Sequence, residues 1–111
     1  MIAAQNTTNA TLTTIYTLAL TNNASTKVMC TINAVRDTNA QAASYDLSVM
    51  VRANAGVYQF VGSLSKYAVK DDPDWDCTLA LSGSNLLVQV TGKAATNISW
   101  GGDFSYQVRT Y

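Results

Sequence analysis

Residues 43–54, "ASYDLSVMVRAN", alternate between apolar and polar side chains without interruption except at one methionine. The apolar set, spaced two residues apart, consists of Ala43, Tyr45, Leu47, Val49, Val51 and Ala53. A period of two is that of a β-strand, whose successive side chains point to opposite faces of a sheet. This stretch therefore predicts a strand with one face in the core and the other in water.

The same alternation recurs along most of the chain. It is found in residues 11–20, 27–36, 76–82, 85–92 and 103–111. The longer stretch 56–70 is mixed, and it is expected to bend or to carry a β-bulge near Gly62. No helical period continues for more than one turn. We therefore predict an all-β fold, an antiparallel β-sandwich or jelly roll of about eight short strands.

Turn-forming residues separate these predicted strands. The stretches concerned are "TNNAS" at 21–25, "DTNAQ" at 37–41, "NAG" at 54–56, "SGSN" at 82–85 and "GKAAT" at 92–96. The last two lie between apolar runs and predict tight hairpins.

The chain length of 111 residues corresponds to one domain. Residues 1–10 lack alternation and predict a flexible N-terminal arm, followed by a single β-sandwich domain over residues 11–111. The apolar residues Ile2, Ala3 and Ala4 of this arm are candidate anchors on a partner protein, with simple fraying as the alternative. The start shows neither a cationic nor an apolar segment, so no export signal is expected.

The charge balance argues against several classes of ligand. Seven cations and seven anions make up 13% of the residues, against an average of about 25%. The cations are scattered, whereas nucleic-acid binding needs them clustered. No run of about 18 apolar residues is present, so no membrane crossing is expected. A surface with so few charges favours a component of a protein assembly.

The cysteines and the absence of histidine limit the possible chemistry. Cys30 and Cys77 both fall on apolar positions of predicted strands. They are expected to be two buried thiols or, alternatively, to form one disulfide bridge between the sheets. Two thiols without histidine do not complete a zinc site. The usual general base is also missing. We therefore predict no catalytic residue, no metal site and no cofactor.

The stretch "KDDPDWDC" at 70–77 holds four of the seven acidic residues. Asp72, Asp74 and Asp76 have the spacing that opens an EF-hand loop. Cys77, however, stands where that loop needs glycine, and Gly83 stands where it needs glutamate. A less regular calcium cage remains an alternative.

A structural role for this stretch accounts for more of its residues. Asp72 is expected to cap a short helical turn near residues 72–76, with Pro73 at its first position. Trp75 is then expected to pack on the edge of the sandwich before the next strand begins.

Several segments together resemble a small β-domain common in structural proteins of tailed bacteriophages. They are "TTNATLTTIYTLAL" at 7–20, "SYDLSVMVR" at 44–52, "DDPDWDCTLALSG" at 71–83, "LLVQVTGKAATNISW" at 86–100 and "YQVRTY" at 106–111. The resemblance implies a β-sandwich, no enzymatic activity and oligomerisation. The chain departs from that pattern at Gly101 and Gly102, which are expected to break or bulge the strand after Trp100.

The function expected from this resemblance is that of a bacteriophage capsid decoration (cement) protein. Such a protein would be made in the host cytoplasm and would lie on the outer surface of the virion head. Its partners would be the major capsid protein and copies of itself, as a homotrimer.

Two other functions are alternatives. A tail- or fibre-associated domain would bind host surface glycan or other tail proteins, and sugar binding would use exposed aromatic side chains. The candidates are Tyr58, Tyr67, Trp75, Trp100 and Tyr111. An enzyme such as a depolymerase is disfavoured, because the chain contains neither histidine nor glutamate.

Overall fold

A computed structural model describes residues 2–110, which form eight β-strands and no helix. The strands are β1 (Ile2–Thr7), β2 (Thr13–Ala19), β3 (Ala24–Arg36), β4 (Ala42–Asn54), β5 (Val57–Lys70), β6 (Asp76–Ser82), β7 (Asn85–Thr91) and β8 (Ile98–Thr110). Among these described residues there is accordingly no helix with the length and hydrophobicity needed to cross a membrane.

The strands form two antiparallel sheets that pack as a sandwich. The larger sheet has the order β1-β8-β3-β4-β5, and the smaller has the order β2-β7-β6. Buried side chains from both sheets form one hydrophobic core between them. The all-β class and the count of eight strands predicted from the sequence are confirmed. The molecule measures 49 × 22 × 21 Å, so it is elongated along the strands.

The core confirms the alternation that predicts β4. All six apolar residues of the 43–54 stretch are buried, and the polar residues between them face the other way. Strand β3 follows the same rule, with Val28, Cys30, Ile32 and Ala34 at most 1% exposed. Burial at every second position fixes the register, because a slip of one residue would turn every apolar side chain into water.

The two sheets differ in length. Strands β3, β4 and β8 have 13 residues each, whereas β2, β6 and β7 have 7. At 3.3 Å per residue these lengths correspond to about 43 Å and about 23 Å, so the smaller sheet faces only part of the larger one. At the uncovered end, Tyr106 and Val108 lie on the inner face beside the buried residues Val28 and Thr26, with which they pair. They are nevertheless 50% and 39% exposed.

The first residues form a strand where the sequence predicts a flexible arm. Residues 2–7 pair with β8 as an edge strand, and Ile2 and Thr7 are 3% and 4% exposed. Met1 lies outside the described residues. The strand carries no alternation because only its two ends are buried and its register shifts between Ile2 and Gln5. The pattern therefore could not be read from the sequence.

Three of the predicted turns close hairpins. "DTNAQ" joins the paired strands β3 and β4 through residues 37–41. "SGSN" joins β6 to β7 through Gly83 and Ser84, as predicted. Between β4 and β5, Ala55 and Gly56 have φ angles of 51° and 80°, which is the geometry of a two-residue type I′ turn. The amides of Ala55 and Gly56 donate to the side-chain oxygens of two asparagines in the β2–β3 connection, at 3.1 and 3.0 Å.

The hairpin predicted at "GKAAT" is not present. Residues 92–97 instead carry the chain from β7 in the smaller sheet to β8 in the larger one. Gly92 allows this crossing because a Cβ there would lie 2.7 Å from Thr7 Oγ1 and 3.0 Å from the Asn9 carbonyl oxygen. A change of sheet and a hairpin use the same turn residues, so the sequence does not distinguish them.

Glycines act differently in β5 and β8. Three residues of β5, 62–64, lie opposite the single residue Val49 of β4. The first of them, Gly62, has a φ angle of 76°. This confirms the bulge predicted in β5. At Gly101 and Gly102 the expected break is wrong, because β8 pairs with β3 through both residues without a register shift. The pairing of β8 with β1 does shift register there, between Ile2 and Gln5. A Cβ on Gly102 would lie 1.9 Å from the Thr31 carbonyl oxygen. This glycine therefore allows close approach of β3 to β8.

Candidate functional site

The acidic stretch forms a single β-turn before β6. The Trp75 amide donates to the Asp72 carbonyl oxygen at 3.3 Å, and the Asp74 amide donates to Asp72 Oδ1 at 2.9 Å. Aspartate at the first position and proline at the second are typical of a type I turn. The short helical turn predicted over 72–76 is therefore wrong, because the next hydrogen bonds belong to the β6 ladder. Asp72 and Pro73 do initiate a turn, of another kind.

The four acidic side chains of this stretch bind three groups of the protein outside the stretch. The pairs are Asp71 with the Ala42 amide at 2.9 Å, Asp72 and Asp74 with the Lys93 ammonium at 3.1 and 3.5 Å, and Asp76 with the Lys66 ammonium. Within residues 2–110 no group of three or more Asp, Glu, His or Cys side chains could hold a metal ion. The stretch ties the start of β6 to β4, to β5 and to the β7–β8 connection.

Asp72 is the central acid of this arrangement. Its pKa is lowered from the ordinary value of 3.8, first by the hydrogen bond from the Asp74 amide and then by Lys93. A carboxyl group whose folded-state pKa is lowered stabilises the fold above its unfolded-state pKa, and the contribution disappears as the pH falls through the folded-state value. Asp72 therefore contributes stability at neutral pH that is lost in acid, below the ordinary aspartate range.

We expect Asp72→Ala to lower the melting temperature at pH 7 more than Asp72→Asn does. Asparagine keeps an oxygen for the Asp74 amide and loses only the charge opposite Lys93, whereas alanine loses both. Thermal unfolding followed by circular dichroism measures the difference. Asp74→Ala is the matched control, because Asp74 makes only the longer ion pair and its side chain is 67% exposed. Equal melting temperatures for wild type and Asp72→Ala would contradict this role, and so would a stabilising shift on adding calcium.

Buried aromatic side chains gather at the same end of the sandwich. Trp75, Trp100 and Tyr45 are fully buried, with ring centroids of Trp100 lying 6.2 Å from Trp75 and 6.3 Å from Tyr45. The Trp100 indole N–H donates to Thr7 Oγ1 at 2.8 Å. Burial raises the pKa of the Tyr45 hydroxyl. Trp75 therefore lies inside the core, whereas the sequence predicts packing on its edge.

The candidate sugar-binding aromatics are dispersed. Trp75 and Trp100 are buried and present no surface to a glycan. Tyr67 is 66% exposed, and Tyr58 is partly buried on the same strand, β5. Tyr111 lies outside the described residues. Among the four candidates that the structure describes, only Tyr67 offers a largely exposed ring.

The proposed anchor residues at the start of the chain do not share one surface. The side chain of Ile2 is part of the core, whereas Ala3 and Ala4 are exposed on β1. The two cysteines are free and buried, as the first of the two alternatives predicts. Burial raises the pKa of Cys30 to about 11 and that of Cys77 to about 12. Neither thiol is therefore activated as a nucleophile.

A further exposed feature is the side of the five-stranded sheet that faces away from the smaller sheet, here called the outer face. Among the residues described, nothing in the chain packs over it. Large apolar side chains exposed there are Met29, Val35, Met50, Val57, Val61, Tyr67 and Val69. Because β5 lies at the edge and β3 and β4 lie in the middle of the sheet, these side chains are spread over most of its width.

Four of the five charged side chains on the outer face form two rows, and Lys27 lies between the rows. Ser25 pairs with Arg52 on one side and with Arg109 on the other. Thr31 pairs in the same way with Asp46 and Asp103. The rows are six residues apart along β3, or about 20 Å.

None of these four charged side chains forms an ion pair within residues 2–110. A depression of about 620 Å³ adjoins the two arginines. The sequence shows only scattered charges, because the rows exist only once the strand register is known.

No family model matches the chain, and no curated protein or solved structure matches it either.

Proposed function

We propose that the chain is a structural protein of a tailed-bacteriophage virion, a capsid decoration protein that binds major capsid subunits and other copies of itself on the outer surface of the head. The single observation that carries this proposal is the outer face. Its apolar side chains are exposed across a sheet made of long strands and covered by nothing in the described chain. Extended exposed surfaces of this composition are typical of protein-binding sites.

A non-enzymatic role is supported by how the acidic residues are used. All four carboxylates of the 71–76 stretch bind amides or lysines of the protein itself. The two thiols are buried with raised pKa values. These groups stabilise the fold, and the proposed function assigns none of them to catalysis.

The sandwich is proposed to be a variant of the jelly roll, a fold found in capsid proteins. Rolling up one long hairpin of eight strands brings the first strand beside the eighth, the second beside the seventh, and the fourth beside the fifth. The pairs β1–β8, β2–β7 and β4–β5 are all present. Strands β4, β5 and β6 depart from that scheme, because β4 pairs with β3 in the larger sheet, and β6 pairs with β7 and not with β3.

The alternative is a tail- or fibre-associated domain that binds host surface glycan. Tyr67 favours it, because its exposed ring lies on the outer face beside Asp46. An aromatic ring next to a carboxylate can stack on a sugar and accept its hydroxyl hydrogen bonds. Loss of binding to host envelope fragments on Tyr67→Ala would support this alternative.

The decisive experiment adds the purified protein to capsids that lack it. We expect saturation at a fixed ratio to the major capsid protein, together with an increase in the temperature at which the capsids open. Met50→Asp, which places a charge in the middle of the outer face, is expected to weaken this binding, whether the face contacts the capsid itself or joins the copies that bind it. Thr17→Asp adds the same charge on an exposed position of β2 in the other sheet, and serves as the matched control. Binding to tails or envelope fragments alone would contradict the proposal.

A further inference from the structure

Strands β4 and β8 present the same chemical order on the outer face. Along β4 the outward residues run Arg52, Met50, Ser48 and Asp46. Along β8 they run Arg109, Gln107, Ser105 and Asp103. Each strand thus reads cation, long side chain, serine, aspartate. Both read in the same direction, because both pair antiparallel with β3, which lies between them.

This order is complementary to itself under a two-fold rotation. Consider an axis that lies in the plane of the outer face and crosses the strands midway between Met50 and Ser48. The rotation reverses the strand direction and leaves each strand opposite its own counterpart. Arg52 then faces Asp46 of the second copy, and Arg109 faces Asp103. Met50 faces the small side chain of Ser48, so the bulky and small residues also fit.

The middle strand follows the same symmetry. On β3 the rotation places Lys27 opposite Met29 of the second copy, where the aliphatic part of the lysine can cover the thioether. Met29 on β3 and Met50 on β4 are offset by two residues, because Met50 pairs with Lys27. The two copies therefore bring four methionines to the centre, with the ion pairs at both ends. Side chains as flexible as methionine adapt to such a contact.

We propose that the outer face binds the outer face of a second copy of this chain, as a two-fold dimer in which the sheets pack face to face with their strands antiparallel. A contact of this type uses the same patch on both subunits. It takes the place of the homotrimer expected from the sequence. The opposite stacking, with strands parallel, would set arginine against arginine and aspartate against aspartate.

The area of the contact indicates its strength. Four rows and four strands cover about 500 Å² per copy, at about 6.7 Å per row and 4.8 Å per strand. The total of about 1,000 Å² lies at the lower end for specific interfaces. Sheets packed face to face align within about 30°, which the twist of each sheet imposes. We therefore expect a dimer that dissociates at micromolar concentrations and weakens in 1 M salt, where the screening length is about 3 Å.

Charge exchange within β4 tests this dimer with the protein alone, so the result does not depend on any role in a virion. Arg52→Asp sets like charges against each other at both ends of the two-fold contact. We expect it to weaken dimerisation by at least about tenfold. The double variant Arg52→Asp, Asp46→Arg restores the complementarity in reversed order and is expected to dimerise again. Sedimentation velocity over a concentration series measures all three proteins.

Two further variants complete the test. Thr17→Asp on β2 is the control for added negative charge and should dimerise as the wild type does. Arg109→Asp with Asp103→Arg repeats the exchange on β8, should the β4 variants fold poorly. A wild type that stays monomeric or forms trimers would overturn the proposal, as would a dimer insensitive to Arg52→Asp or a double variant that remains monomeric. If Arg52→Asp lost capsid binding without a change in oligomeric state, the outer face would be assigned to the capsid, and the dimer proposal would also be overturned.

Discussion

Replacing Trp100 by alanine is expected to destabilise the folded state by about 3–5 kcal/mol. Trp100 is fully buried between Trp75 and Tyr45, so its removal leaves a cavity that the surrounding strands cannot close. The hydroxyl of Thr7 also loses its partner, the indole N–H. A domain of this size is stable by roughly 5–15 kcal/mol, so the change removes a large part of the total.

Urea unfolding followed by tryptophan fluorescence and circular dichroism measures this loss. Tyr67→Ala is the matched control, because its ring is 66% exposed, and we expect a change within about 0.5 kcal/mol. Measurement at low protein concentration keeps any dimer contact of Tyr67 out of the comparison. A Trp100→Ala variant as stable as the control would show that this aromatic cluster does not hold the two sheets together.

Deletion of residues 1–7 is expected to cost more than about 3 kcal/mol of stability. The deletion removes the buried side chain of Ile2, worth about 2–5 kcal/mol. It also leaves the buried Trp100 N–H without its acceptor, at about 1–3 kcal/mol. The whole edge of β8 is then open, and an unpaired edge promotes aggregation. A flexible arm would predict the opposite, an intact fold that only loses its attachment to a partner.

Point variants separate the parts of this effect. Thr7→Val keeps the volume and removes the acceptor, so it should show only the hydrogen-bond cost in urea unfolding. Ala3→Ser and Ala4→Ser change exposed positions of the same strand and should leave stability unchanged. Stability retained after deletion would mean that β1 contributes nothing to the core, contrary to the burial of Ile2.

Alternation predicts the inner strands β3 and β4 well because each has one buried and one exposed face along nearly its whole length. Residues 43–54 lie in β4 as expected, and the segment predicted at 27–36 is part of the longer strand β3, which begins at Ala24. Edge strands are less visible. In β1 only two of six side chains are buried, and in β5 no residue is fully buried. The alternation of apolar and polar residues reflects burial of one face, so it does not predict a strand in which few side chains are buried.

Long-range pairing explains what the sequence could not provide about the site. Asp72 and Pro73 indicate a turn locally, whereas Lys93 completes it from 21 residues away. The rows formed by Arg52 with Arg109 and by Asp46 with Asp103 require the register of three strands. No spacing in the chain predicts them. The resemblance to phage domains that the sequence suggests extends over residues 7–111 and likewise assigns no residue to this surface.

The amount of this protein in purified virions tests its proposed role most directly. Heads and tails are separated, and the protein is quantified against the major capsid protein in each fraction by mass spectrometry with labelled standards. We predict a constant ratio to the major capsid protein in the heads, with the tails containing none. Absence from the heads, or presence in the tails alone, would contradict the role of a capsid decoration protein.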